Sequence, residues 1–395
     1  MKIKYLSMAL SAMMCAGLFS ACGDDDPKEI IKEVEVIKEV PVEVPVVQDN
    51  NWSRYQKAVT DNVIANKKHD KVILLVAFGS TWEQAYDAFD DAVGAYKDTF
   101  KDYDVFLSFS SAICINRAAA GENVDPRNFY APNFWLTAFA QEGVQYKEIV
   151  VQSLQVIPGE EYTRVINYIK DFANNANGDL EDKYLAGVTL KLGVPLLQDE
   201  VVDVPAVANE LHALYKDIAA KDVVAFMGHG NPDEYDTYKA NVRYTQLEQA
   251  LQKLSPNYFV GTVDMMENFK THVYARMKAA GLTTKNMKVY CHPLMSIDGD
   301  HGHNDMAGDD LPEDVDPDNY TFAELQAMAN EEGEVEDTSW KMYFGAKGSG
   351  FTCNDDTMIE FGLLELPTIR NVWIQHTADA IEGEPLDYYH SKNPE

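Results

Sequence analysis

The segment KVILLVAFGST, Lys71 to Thr81, constrains the fold more than any other part of the chain. It is an unbroken apolar run that ends in small and polar residues, and WEQAYDAFDDAVGAYKDTF follows it with helical spacing. A strand that is apolar on both faces must be covered on both faces, so it reads as a buried parallel strand feeding a helix through a tight turn. The same unit recurs in KEIVVQSLQVIPGEEYTRVINYIKDF, in VTLKLGVPLL before DVPAVANELHALYKDI, in KDVVAFMGHGNP before YTQLEQALQKL, and in NYFVGTVDM before NFKTHVYARMKAAG. A last strand is expected in KVYCHPLMSI. The pattern predicts an α/β protein of two similar Rossmann-like halves, each a parallel sheet flanked by helices, with residues 53–198 in one and 199–395 in the other. At 395 residues, 46% of them hydrophobic, the chain can fill both cores.

Parallel sheets of this kind bind ligands beyond the carboxyl ends of their strands. AFGST, QVIPGEEY, MGHGNP, GTVDM and DGDHGHND each follow an expected strand, so one cleft should gather them. His229 lies between Gly228 and Gly230, which do not shield it and which tolerate unusual backbone angles. In GDHGHNDMAGDD, Gly299 to Asp310, a calcium loop would use oxygen ligands, but EF-hand spacing is absent, and His301 and His303 suit a transition metal. In PGEEY, Glu160 and Glu161 also have a plain reading as the first turn of a helix that starts after Pro158. A metal-dependent hydrolase stays open as one reading of the clustered Asp, His and Asn, although ILLVAFGST lacks an early Asp-x-His pair.

VAFGST, VVQSLQVIPGEEY, LGVPLL, VAFMGHGN, YTQLEQAL, GTVDM, PLMSIDGDHGHNDMAGDD and SWK occur in the order seen in the anaerobic sirohydrochlorin cobaltochelatases, and from Lys71 to His376 the chain resembles that CbiK family. The resemblance implies the two-domain chelatase fold and the insertion of cobalt into sirohydrochlorin during anaerobic corrinoid synthesis. Its divalent metal is then cobalt, with nickel and iron open, and its partner a tetrapyrrole. It makes His229 a metal ligand and catalytic base, puts Gln155 where the family carries a second catalytic histidine, and puts Val194 near an expected carboxylate. His301 belongs to the shared motif, whereas His292 and His303 are additional histidines expected to compensate as metal ligands. Glu160, Glu161, Asp264, Asp300 and Asp305 are the expected substrate-binding carboxylates. A non-enzymatic tetrapyrrole- or metal-binding lipoprotein serving uptake is the alternative.

The first 21 residues read as a secretory signal, and LFSAC resembles a lipobox that would leave Cys22 lipidated. Residues 22–52, in which valine alternates with glutamate around two prolines, read as an extended tether, with a short coiled coil through IIKEVEVIKEV as the competing reading. The expected location is therefore the outer membrane through a lipid anchor, periplasmic or surface-exposed. Cys114, Cys291 and Cys353 lack the spacing of a disulfide framework or zinc ribbon and read as buried thiols. The balance of 33 basic against 64 acidic residues, a net charge of -31, argues against a nucleic-acid partner. An acidic insertion is expected from Leu311 to Asp337, and assembly into a homo-oligomer is left open.

Overall fold

A computed structural model of the chain describes residues 51–389 except 83, 121–129, 309–318, 322 and 326–337. The expected signal, most of the tether with Cys22, and most of the acidic insertion lie outside the described residues. The first half of the chain runs α1 (Asn51–Asn66), β1 (Lys71–Ala77), α2 (Ala85–Thr99), β2 (Asp104–Phe109), α3 (Ala112–Ala120), α4 (Pro132–Ala140), β3 (Glu148–Ser153), α5 (Glu160–Ala173), α6 (Asp182–Leu185) and β4 (Thr189–Gly193). The second runs α7 (Asp203–Ala219), β5 (Val223–Gly228), α8 (Val242–Gln252), β6 (Tyr258–Thr262), α9 (Lys270–Ala279), β7 (Met287–Pro293), α10 (Trp340–Gly345), β8 (Phe351–Thr352) and α11 (Pro367–Glu382).

The strands form two four-stranded sheets, ordered β2-β1-β3-β4 and β6-β5-β7-β8, and all their pairings are parallel. The second order repeats the first, so the expected α/β fold of two similar halves is the fold observed. Alternate residues of β1 face opposite ways. Ile73, Leu75 and Ala77 join one core with Val224 and Phe226 of β5, while Val72, Leu74 and Val76 join another with Phe139 and Val165. A third core covers the outer side of the second sheet through Val223, Ala225 and Met227. Both sheets are thus covered on both faces, as their continuous apolar strands require.

Three differences from the sequence reading have physical causes. The helix expected from Trp82 begins at Ala85, because the Ser80 hydroxyl accepts the Trp82 N–H at 3.0 Å and holds a turn there. The edge strand β2, in DVFLSF, and the two-residue β8 were not anticipated. β2 pairs on one side alone, with β1 from Val72↔Asp104 to Ala77↔Phe109, and β8 meets β7 over two residues, so both are edge strands. Finally, α11 at the far end of the second half returns to the first sheet: Trp373 Nε1 donates to the Gln155 carbonyl at 3.2 Å and Thr377 Oγ1 to Gln152 Oε1 at 2.7 Å. Of the acidic insertion, residues 319–321 and 323–325 are described, and Leu325 is fully buried against Met342 and Ala346.

Candidate active site

In each sheet the chain leaves the first inner strand for one edge and returns on the other side of it, so a crevice opens at the carboxyl ends of the two inner strands. A cavity of about 370 Å³ lies there. Its walls are drawn from the stretches 78–81 after β1, 155–161 after β3, 229–231 after β5 and 294–301 after β7, with part of 111–114 after β2. Phe78, Val156, Ile157, Leu294 and Ile297 make much of the wall apolar, while Gln155, Glu161, His229, Asp300 and His301 supply the polar groups. An apolar cleft with a few converging polar groups suits an organic ligand with a reactive centre.

His229 is held by its glycines and by α8. A Cβ on Gly228 would lie 2.3 Å from the Tyr244 ring, and Gly230 has φ +81°, so neither position accepts a larger residue without strain. The Gly230 N–H donates to Tyr244 Oη at 3.3 Å, and the Asn231 N–H donates to Asn241 Oδ1 at 2.8 Å. The His229 Nδ1 lies 2.7 Å from the Gly230 carbonyl and 3.4 Å from Asp264 Oδ2. A carbonyl only accepts, so Nδ1 carries the proton and Nε2 presents its lone pair.

His301 meets it edge to face, with ring centroids 4.8 Å apart and planes at 80°. It caps a single π-helical turn, Gly302–Met306, of the kind found at functional sites. Its Nδ1 lies 2.6 Å from Asp305 Oδ2. Burial pulls the His301 imidazole down, but the Asp305 hydrogen bond and charge, with Asp264 and Asp300, outweigh it and leave the pKa above the ordinary value. Asp264 and Asp305 therefore stand behind the two histidines as orienting carboxylates. Asp300 lines the cavity, and its Oδ1 accepts from Trp82 Nε1 and Asn304 Nδ2, each at 3.1 Å.

Other expected residues fall elsewhere. His292 is not at the cleft: it points from β7 into the core, fully buried against Tyr215, Phe226 and Phe361. Burial lowers its pKa to about 3, so the ring is neutral, and the expected ligand role gives way to packing. His303 turns away from the cavity, stacks on Trp82 at 4.2 Å, and lies 3.7 Å from Asp298. Glu160 leaves the cavity wall to accept the Thr237 N–H at 3.3 Å. Gln155 does reach the cavity; its Oε1 accepts from the Ser153 hydroxyl, and its Nε2 is buried with no hydrogen-bond partner among the described residues. Among the described residues, no three His, Cys, Asp or Glu side chains are gathered for a metal ion.

Sequence reasoning passed over the apolar wall, Tyr244 and Trp82. Phe78 sits inside the quoted FGST turn, and YTQLEQAL carries Tyr244, so both lay in motifs read for backbone rather than for side chains. Trp82 was assigned to a helix, where nothing in the local pattern marks a tryptophan as a partner for a loop more than 200 residues away.

The chain is similar to known cobalt chelatases. The family model for the cobalt chelatase (CbiK) matches residues 71–316. The sirohydrochlorin cobaltochelatase of Salmonella typhimurium is 26% identical over 314 residues, which cover 79% of this chain and 96% of that protein. The sirohydrochlorin cobaltochelatase CbiKC of Nitratidesulfovibrio vulgaris is 28% identical over 244 residues, 61% of this chain and 76% of that one. Among solved structures, SirB from Bacillus subtilis with Fe3+ aligns with a TM-score of 0.45 and 13% identity over 78% of this chain and 95% of its own. With a family match across 71–316, a repeated parallel-sheet fold and a histidine pair at the shared strand ends, the chain belongs to the CbiK cobalt chelatase family.

Proposed function

We propose that this protein inserts cobalt(II) into sirohydrochlorin and does so with glutamine at position 155. The observation that carries the reading is the pair His229 and His301, 4.8 Å apart on the polar side of an otherwise apolar cavity. Insertion asks for three things: a transient hold on a divalent ion, acceptors for two pyrrole protons, and a surface for a flat ring. The Nε2 lone pair of His229 supplies a borderline ligand that suits cobalt, nickel or iron. It becomes a base once the ion has passed to the ring nitrogens. His301 stands beside it, and Asp264 and Asp305 keep the two imidazoles oriented. The apolar wall takes the face of the macrocycle.

The location belongs to the same proposal: a lipid on Cys22 holds the body to the outer membrane through the valine- and glutamate-rich tether, a reading supported by LFSAC and the residues after it. A second reading, a tetrapyrrole-binding protein without insertion activity, is supported by Gln155, because an amide is a poor base.

One experiment separates them. The full chain in detergent is mixed under anaerobic conditions with sirohydrochlorin and cobalt while the absorbance spectrum is followed. Conversion to the metallated spectrum is expected, slowed about a hundredfold or more in His229→Ala with the melting transition unchanged. An unchanged rate in His229→Ala would remove the histidine from the mechanism. A bound but metal-free ring in the wild type would leave the binding reading.

A further inference from the structure

Insertion releases two pyrrole protons; His229 Nε2 accepts one, and His301, the other imidazole lining the described cavity, is taken up with holding the ion. Gln155 does not serve for the other, since its Oε1 is taken by the Ser153 hydroxyl and its Nε2 donates. The two additional histidines do not serve either, because His292 is in the core and His303 is stacked on Trp82 outside the cavity. Glu161 does line the cavity. Its Oε1 lies 3.5 Å from Arg164, and its Oε2 is buried with no hydrogen-bond partner among the described residues. Ser110 Oγ is also buried with no hydrogen-bond partner among them, and its hydroxyl pulls the Glu161 pKa down. A carboxylate oxygen kept from water and from partners costs free energy unless a ligand engages it. Burial raises the Glu161 pKa above the ordinary carboxylate range, against the pull of Arg164, His229 and Ser110, which brings its basicity closer to that of an imidazole.

We propose that Glu161 is a catalytic residue of this chelatase, accepting through Oε2 the second pyrrole proton in place of the base that position 155 lacks. The inference rests on the cobalt-insertion reading. The balance closes without redox chemistry: the ion exchanges its water and imidazole ligands for four ring nitrogens, and two pyrrole N–H bonds break. One proton goes to His229 Nε2 and the other to Glu161 Oε2.

The test is stopped-flow insertion of cobalt into sirohydrochlorin by the full chain, wild type against Glu161→Gln. The variant is expected to lose about a hundredfold in kcat while KM for ring and metal stays within about threefold and melting is unchanged. The infrared difference spectrum on insertion should gain a protonated-carboxyl C=O band in the wild type that Glu161→Gln lacks. A variant kcat within about threefold of wild type overturns the assignment. If the wild type inserts no cobalt, the insertion reading is what fails, and binding of the metal-free ring then decides about Glu161. A ring spectrum or affinity that differs between the two proteins places the carboxylate against the pyrrole hydrogens, whereas identical binding overturns it.

Discussion

His292 and Glu161 show, at the scale of single residues, how burial sorts ionisable groups of similar appearance in a sequence. His292 is sealed among rings and unpaired at both nitrogens among the described residues. Its folded pKa of about 3 lies below the unfolded value of 6.5, so the unfolded chain binds the proton first as pH falls. The neutral ring's contribution is intact above pH 6.5 and is lost progressively from there down to about 3. Between pH 7 and pH 5 this one group should cost about 2 kcal/mol of stability. Urea unfolding of wild type and His292→Leu at both pH values checks it. The variant should lose less stability on acidification by about that amount, and an equal loss would show that His292 is solvated or paired. Glu161, by contrast, has its unpaired oxygen in a wall of the cleft, where a ligand can engage it.

At the scale of elements, the site is assembled by turns that reach between the halves. The β1–α2 turn sends Trp82 across to the loop after β7, where its ring stacks on His303 with planes at 23° and its indole N–H donates to Asp300. Such a stacked pair is worth about 0.5–1.5 kcal/mol beyond its area, so a double-mutant cycle of Trp82→Ala and His303→Ala should show a coupling in that range. Coupling near zero would mean that the two loops are fixed independently. The loop after β7 has its own constraint: a Cβ on Gly302 would lie 1.7 Å from Asp298 Oδ1, a buried carboxylate whose pKa burial raises to about 6. The dense cluster in GDHGHNDMAGDD therefore divides its labour. His301 and Asp300 face the cavity, Asp305 orients His301, and His303 secures Trp82.

At the scale of the whole molecule, the proposed attachment is testable apart from the proposed catalysis, because Cys22 lies 56 positions ahead of Phe78, the first residue of the cleft wall. Cys22→Ser should move the protein from the membrane to the soluble fraction with insertion kinetics unchanged, and identical fractionation of variant and wild type would exclude the anchor. The body's architecture was legible in one dimension: a strand apolar on both faces has to be covered on both faces, and that requirement is local and periodic. His229, framed by Gly228 and Gly230 after a strand, was legible for the same reason, since both the turn and its contacts arise within a few tens of residues. Three things were decided only in the folded chain: the return of α11 to the first sheet, the burial of His292, and the turning of His303 onto Trp82. Each depends on which of several faces a side chain presents to an element far along the chain. A histidine reads the same in sequence whether its neighbours are a metal, an indole or a hydrocarbon core. Local periodicity determined the sheets and the ends of their strands, whereas long-range packing decided which ionisable groups line the cleft there.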